Sequence, residues 1–262
     1  MRSVENSLAR VGVNVGFARA VVTGMVDGSL RAWESAGGTS YHAVHPYGMS
    51  LIWGDTVDAE FDRIISHLQE GQYRSRDEWL QIDPRWADLP WERELTRSIG
   101  MSGLSIRQRL NFEFEPSAFL AARRGAVPEG WSLVRADESD YHRSGSVVPA
   151  RFWRSAGDFV RHGGGWRAER DGFRGALAFT SFRFDDDLEI GIETHPEARG
   201  QGLATAVAAR MIGDLLDRGI TPIWSCRDSN HASIALASKL GFRPTVRLPY
   251  YGIARASTRE TR

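Results

Sequence analysis

One cysteine, Cys226, stands in 262 residues. A lone thiol excludes an internal disulfide and suits a reducing compartment, so the expected location is the cytoplasm. Net charge is also missing, because 33 lysines and arginines balance 33 aspartates and glutamates. No global field therefore draws the chain to nucleic acid or to an anionic membrane, which leaves only a local basic patch as a route to such partners. No apolar run approaches a membrane span, and the opening MRSVENSLARVGVNVGFARAVV has no sustained apolar core of the signal-peptide kind. No histidine or cysteine spacing marks a metal site, and none is expected. What is present is 42% hydrophobic residues, 25% charged residues and nine tryptophans. That is the composition of a packed globular protein, long enough for one large domain or two.

The clearest interruption is RRGAVPEGW, residues 123–131, which places a domain boundary near Val127 and divides the chain into 1–127 and 128–262. After it, WSLVRADESD reads as a short strand and ARFWRSAGDFVRHGG as a helix ending at Gly163. GWRAERDG and FRGALAFTSFRF read as antiparallel strands joined through Asp171-Gly172, a dipeptide suited to a tight hairpin. LEIGIETH is a third strand. Leu203, Val207, Met211 and Leu215 then recur at four-residue spacing, joined by Ile212 and Leu216, and Gly219 stops that helix. TPIWSCR is another strand. SNHASIALASKLGF is a second helix, capped by Ser229 or Asn230 and ended by Gly241. TVRLPYYGIA offers strand material broken at Pro249. The expected class is mixed α/β, a central twisted sheet flanked by helices.

Between the third strand and the first of these helices lies HPEARGQGLATAV, residues 195–207. A strand feeding a glycine-rich turn that opens a helix is a way to bind phosphate. The first amides of the helix lack internal partners, the dipole is positive there, and glycine lets backbone approach an anion closely. The order strand, RGQGLA, helix, strand, N-x-x-S, helix, KLGF resembles the GNAT N-acetyltransferase superfamily. Arg199, Gly202 and Ala204 match its pyrophosphate signature Q/R-x-x-G-x-G/A. Asn230 and the run Lys239 to Phe242 match the segment that follows its cofactor cleft. Residues 187–243 further resemble the branch containing zwittermicin-resistance-type acetyltransferases.

The resemblance implies acetyl-CoA, or another acyl-CoA, as co-substrate. Its pyrophosphate would rest on backbone amides of Arg199, Gly200, Gln201, Gly202, Leu203 and Ala204. Its pantetheine arm would pair with Gly191, Ile192, Glu193 and Thr194, in the gap where this strand and PIWSC splay apart. Asn230 would use its amide to hold the pantetheine side of that gap, with Ser233 as a further cofactor-binding residue; an ordinary helix cap is the other reading of Asn230.

Acylation of an amine needs a base, an oxyanion donor and a leaving thiolate. A backbone amide near Thr194 is the implied oxyanion donor. An alkyl ammonium has a reference pKa near ~10, so Glu193 or Glu189, which share a face of one strand, are candidate bases, directly or through water. His195 reads as turn chemistry beside Pro196. Ala237 stands where many members carry a tyrosine as acid for the thiolate. A thiol with pKa near ~8.5 leaves tolerably without one. Ser233, Cys226, Tyr250 and Tyr251 remain as donors, with Cys226 reading first as a buried strand residue.

Residues 1–127 show the same order: GMSLIWGD as strand, DAEFDRIISHLQEG as helix, EWLQIDP as strand, WERELTRSIG as helix. Their turn bears Asp55, Asp58 and Glu60 where the other half has Arg199 and glycines, and carboxylates repel pyrophosphate. A degenerate GNAT-like copy and an unrelated α/β domain both fit. Either is expected to border the acceptor side, with one coenzyme A bound beyond Val127. The expected function is transfer of an acetyl group to an amine of a small molecule. An amide-forming enzyme of this fold using aminoacyl-tRNA is disfavoured by the neutral charge, and a non-catalytic acyl-CoA-binding module is the other alternative. No membrane partner is expected, and a homodimer is left open.

Overall fold

The computed structural model describes residues 2–122 and 127–255. Helices α1 (Arg2–Leu8) and α2 (Gly16–Val22) precede strands β1 (Ser29–Ser35), β2 (Gly38–Val44) and β3 (Met49–Gly54). Then follow α3 (Phe61–Glu70), β4 (Glu78–Ile82), α4 (Trp91–Ile99) and β5 (Leu104–Phe114). All six residues of β3 are buried. Such a strand is covered on both faces, and β3 pairs antiparallel with β2 and parallel with β4. Helix α3 turns Ile64, Ile65 and Leu68 into a core shared with Trp33, Ile52, Leu80 and Trp91. Gly71 ends it in the left-handed conformation at φ 59°, its amide bonded to the His67 carbonyl.

The chain continues through α5 (Pro116–Ala122), β6 (Ser132–Arg135), α6 (Glu138–Tyr141), α7 (Ala156–Asp158), β7 (Gly165–Arg170), β8 (Phe173–Phe184) and β9 (Asp187–Thr194). It ends with α8 (Leu203–Leu216), β10 (Thr221–Arg227), α9 (His231–Lys239) and β11 (Phe242–Ile253). Strands β6, β7, β8 and β9 form an antiparallel run, and β9 then pairs parallel with β10. The β7–β8 hairpin turns through Asp171 at φ 50° and Gly172 at φ 77°, as that dipeptide predicts. The apolar stripe of α8, with Leu203, Val207, Met211 and Leu215, packs onto Leu188 and Ile190 of β9 and Ala176 and Ala178 of β8. The fold is the expected mixed α/β class.

Three expectations meet a different structure. The compact units are Met1–Arg109 with Arg247–Arg262, and Leu110–Val246. The sequence break near Val127 falls inside the second of these, because β5 and β11 each contribute residues to both. The stretch read as one helix to Gly163 is instead a 3₁₀ turn at Pro149–Arg151, the short α7, and a π-helical turn at Phe159–Gly163. Its aromatic residues are fastened one by one: the Trp153 indole donates to the Thr180 carbonyl at 2.7 Å, and Phe152 and Phe159 meet Phe179. Finally, β11 runs on through Pro249. Its pairing with β4 covers only Tyr251 to Ile253, so the missing proline amide removes no bond from that ladder.

Candidate active site

The second unit contains a gap between two strands. Parallel pairing of β9 with β10 runs from Asp187–Thr221 to Glu189–Ile223 and ends there. Residues 190–194 stay in register with β8 alone. The His195 amide donates to the Gly175 carbonyl at 2.8 Å. Alternation along an antiparallel ladder then turns the amides of Ile192 and Thr194 to the other edge, into the gap. Gly191 lies close against β8: a Cβ there would sit 2.5 Å from the Phe179 ring and from the Ser181 hydroxyl.

At the end of β9 the chain makes a 3₁₀ turn, Pro196–Ala198, and enters α8 through Gly200 at φ 77° and Gly202 at φ 80°. Both glycines hold a conformation that L side chains rarely adopt. No side chain caps α8. The first bond of the helical ladder joins the Ala206 amide to the Gly202 carbonyl at 3.1 Å, which leaves the amides of 202–205 ahead of it. Space is open around Gly200, and a Cβ at Gly202 would meet only Pro128, at 4.0 Å. Arg199 is exposed at the rim, its Nε 3.4 Å from the Thr194 carbonyl, and the Gln201 side chain donates to the Glu197 carbonyl. An uncapped helix mouth with left-handed glycines and an arginine fits a diphosphate.

The two faces of β9 differ. Leu188 and Ile190 meet α8, so Glu189, Gly191 and Glu193 turn to the opposite face. Glu189 is 8% exposed and accepts the Ser225 hydroxyl at 2.7 Å, beside the last paired step of β9 and β10. Glu193 sits four residues further on. Its Oε2 accepts from the Ser146 amide at 2.9 Å, the Ser146 hydroxyl at 3.2 Å and the Val147 amide at 2.8 Å.

Asn230 caps α9, its Oδ1 accepting the Ser233 amide at 3.1 Å. Ser233 Oγ accepts a hydrogen bond from the Trp224 indole N–H at 3.0 Å, and its own O–H remains a donor. Ala237 is fully buried in the α8 core, and Cys226 is buried in the same core. His195 accepts from the Glu197 amide and stacks edge-on with Phe173, the turn role expected of it. Tyr250 and Tyr251 belong to the first unit, where burial and Glu92 push the Tyr251 phenol up to about 12. Sequence reasoning missed Ser225 and residues 145–147; neither carries a motif, since Ser225 acts through one hydrogen bond across the fold and residues 146 and 147 mostly through backbone amides.

The corresponding turn of the first unit, after β3, is filled. The Trp86 indole and Arg85 both donate to the Gly54 carbonyl, at 2.9 and 3.2 Å. Asp55 is paired with Arg10 and Arg85, and buried Asp83 holds the same Arg85. Of the other carboxylates that the sequence placed where the second unit has glycine, Glu60 is paired with Arg63, while Asp58 accepts the Ala59 amide. Among the described residues, no helix is long and apolar enough to cross a membrane, and no group of three or more His, Cys, Asp or Glu side chains is placed to hold a metal.

A family model described as GNAT acetyltransferase matches residues 49–251. An uncharacterized N-acetyltransferase of Bacillus subtilis, YdfB, is 27% identical over 238 residues, covering 90% of this chain and 89% of that protein. Among solved structures, a GCN5-related N-acetyltransferase-like protein from Streptococcus suis superposes with a TM-score of 0.70 at 19% identity, covering 96% of this chain and 97% of that one. A tandem GNAT protein from the clavulanic acid biosynthesis pathway superposes with a TM-score of 0.61 at 16% identity, covering 96% and 93%. The family model spans well over half of the chain, and the chain belongs to the GNAT acetyltransferase family.

Proposed function

We propose that this chain transfers an acetyl group from acetyl-CoA to an amine of a small molecule, within its second unit. The observation that carries the reading is the end of β9–β10 pairing at Glu189–Ile223, next to the glycine mouth of α8. Acetyl-CoA supplies the thioester that an amine attacks. The amides of 202–205 hold its pyrophosphate, helped by Arg199, and the edge of 190–194 receives the pantetheine arm as an added strand. The amide of Thr194 or Ile192, turned into the gap, supports the oxyanion. Glu189 takes the amine proton, directly or through water. The buried Ala237 supplies no hydroxyl, so Ser233 donates to the departing sulfur, which is already a tolerable leaving group near neutral pH.

The first unit is read as a degenerate copy of the same plan. It repeats the order strand, helix, strand, helix, with its turn closed by Trp86, Arg85 and Asp55. Likeness of residues 187–243 to the zwittermicin-resistance-type branch supports a small amine as acceptor. Thiol release from acetyl-CoA, measured across a panel of amines, tests the reading. Release with at least one amine is expected. Amide formation with aminoacyl-tRNA but not acetyl-CoA, or coenzyme A binding with no turnover on any amine, would replace it.

A further inference from the structure

We infer that Glu193 is a positioning residue, a latch that fastens residues 145–147 onto β9 and so fixes the acceptor wall; this rests on the acyl-transfer reading above. Three donors converge on one carboxylate oxygen, all within 3.2 Å, and two of them are backbone amides. All three bonds hold Oε2 against the loop, and none of them falls on Oε1. The loop is shaped for the carboxylate. Gly145 holds φ 156°, and a Cβ there would lie 2.8 Å from Glu193 Oε2 and 2.8 Å from Val148. Arg143, just before the loop, donates from Nη2 to the Arg174 carbonyl at 2.9 Å, and Val148 and Pro149 just after it are buried. The segment is therefore pinned at both ends, and Glu193 holds its middle.

Position gives the latch its consequence. Glu193 and Glu189 share the face of β9 opposite α8, about 13 Å apart along an extended strand. On the acyl-transfer reading the thioester lies in the gap with its carbonyl oxygen toward the amides of Ile192 and Thr194, which leaves the face bearing Glu189 and Glu193 to the amine. The amine has to approach there, between Glu189 and the wall made by 145–147. Glu193 thus sets how well the acceptor is held, while Glu189 handles the proton.

Two measurements on the full chain decide this. The first is amide hydrogen exchange at Ser146 and Val147. The second is steady-state kinetics against the accepting amine, with a pH profile. Glu193→Ala is expected to speed exchange at both amides by about tenfold or more, since hydrogen bonds to a charged group are the stronger kind. It should raise the acceptor KM by a similar factor and leave the rising limb of the pH profile in place. Glu193→Gln keeps an oxygen that accepts the same amides, so it should restore exchange and KM to within about threefold of wild type. Gly145→Ala should reproduce Glu193→Ala, and the double variant should be no worse than either alone. Unchanged exchange in Glu193→Ala would overturn the latch. So would a Glu193→Gln variant as impaired as Glu193→Ala that has also lost its rising limb. If the wild-type chain turned over no amine, acyl transfer would fail as a reading while the exchange data still decided the latch.

Discussion

The Glu189 carboxylate accepts the Ser225 hydroxyl at 2.7 Å, tying β9 to β10 at the step where their pairing ends. This places a buried acid at the hinge of the gap. Glu189→Gln is expected to lower kcat/KM by about 10²-fold, the lower range for loss of a general base, and to remove the rising limb of its pH profile. Coenzyme A affinity should be little changed. A Glu189→Gln variant with a wild-type pH profile would move the base elsewhere.

Ala237 is fully buried in the core that also holds Val207, Met211 and Phe242. Restoring the tyrosine common in the family should therefore not restore an acid. Ala237→Tyr is expected to cost about 1–3 kcal/mol through overpacking, measured by denaturant unfolding, with no gain in kcat. A variant that is both stable and faster would show that a hydroxyl reaches the sulfur from this position.

The first unit carries a buried ionic network. Glu78 accepts from His42 and Ser50 on one oxygen and from Tyr73 and Arg74 on the other, and His42 meets His67 at 3.2 Å. Burial, with His42, Arg31 and Arg74 nearby, brings His67 down to about 4 despite Glu78. Burial and Arg76 bring His45 to about 4 as well. Burial alone would raise Glu78, but His42, Arg74 and Ser50 together hold it down to about 2. Between pH 6.5 and 4 the unfolded chain takes up protons at His45 and His67 that the folded chain refuses, so stability falls as pH drops. Below about 4.5 the unfolded Glu78 protonates while the folded carboxylate holds out to about 2, and stability falls further. The melting temperature should drop by about 5 °C or more between pH 7 and pH 5, and His67→Gln should make that slope shallower. A flat profile across that range would contradict the neutral state assigned to both histidines.

Helix α8 was legible because Leu203, Val207, Met211 and Leu215 keep one spacing, and the β7–β8 turn because Asp171-Gly172 tolerates positive φ. That α8 opens just after Gly200 and Gly202 was legible from the order of strand, glycine-rich turn and helical spacing together, not from the glycines alone. Periodicity failed where packing was local, as with Phe152, Trp153 and Phe159, each held by its own contact rather than by a common helix face. It put Glu193 on one face with Glu189 but was silent on what holds it. Its partners lie 46 and 47 residues away and are mostly backbone amides, which every residue but proline possesses. The unit limits were hidden because each falls inside a continuous strand, β5 or β11.

Titration calorimetry with coenzyme A, on the wild-type chain and on Gly202→Asp, tests the central claim most directly. The claim is that the donor's diphosphate sits at the mouth of α8 in the second unit, while the filled turn around Asp55 takes none. Wild type should bind one coenzyme A per chain. Gly202→Asp puts a carboxylate and a strained φ at that mouth and should weaken binding by about 10²-fold or more while the chain stays folded. Two equivalent sites per chain, or undiminished affinity in folded Gly202→Asp, would contradict the account.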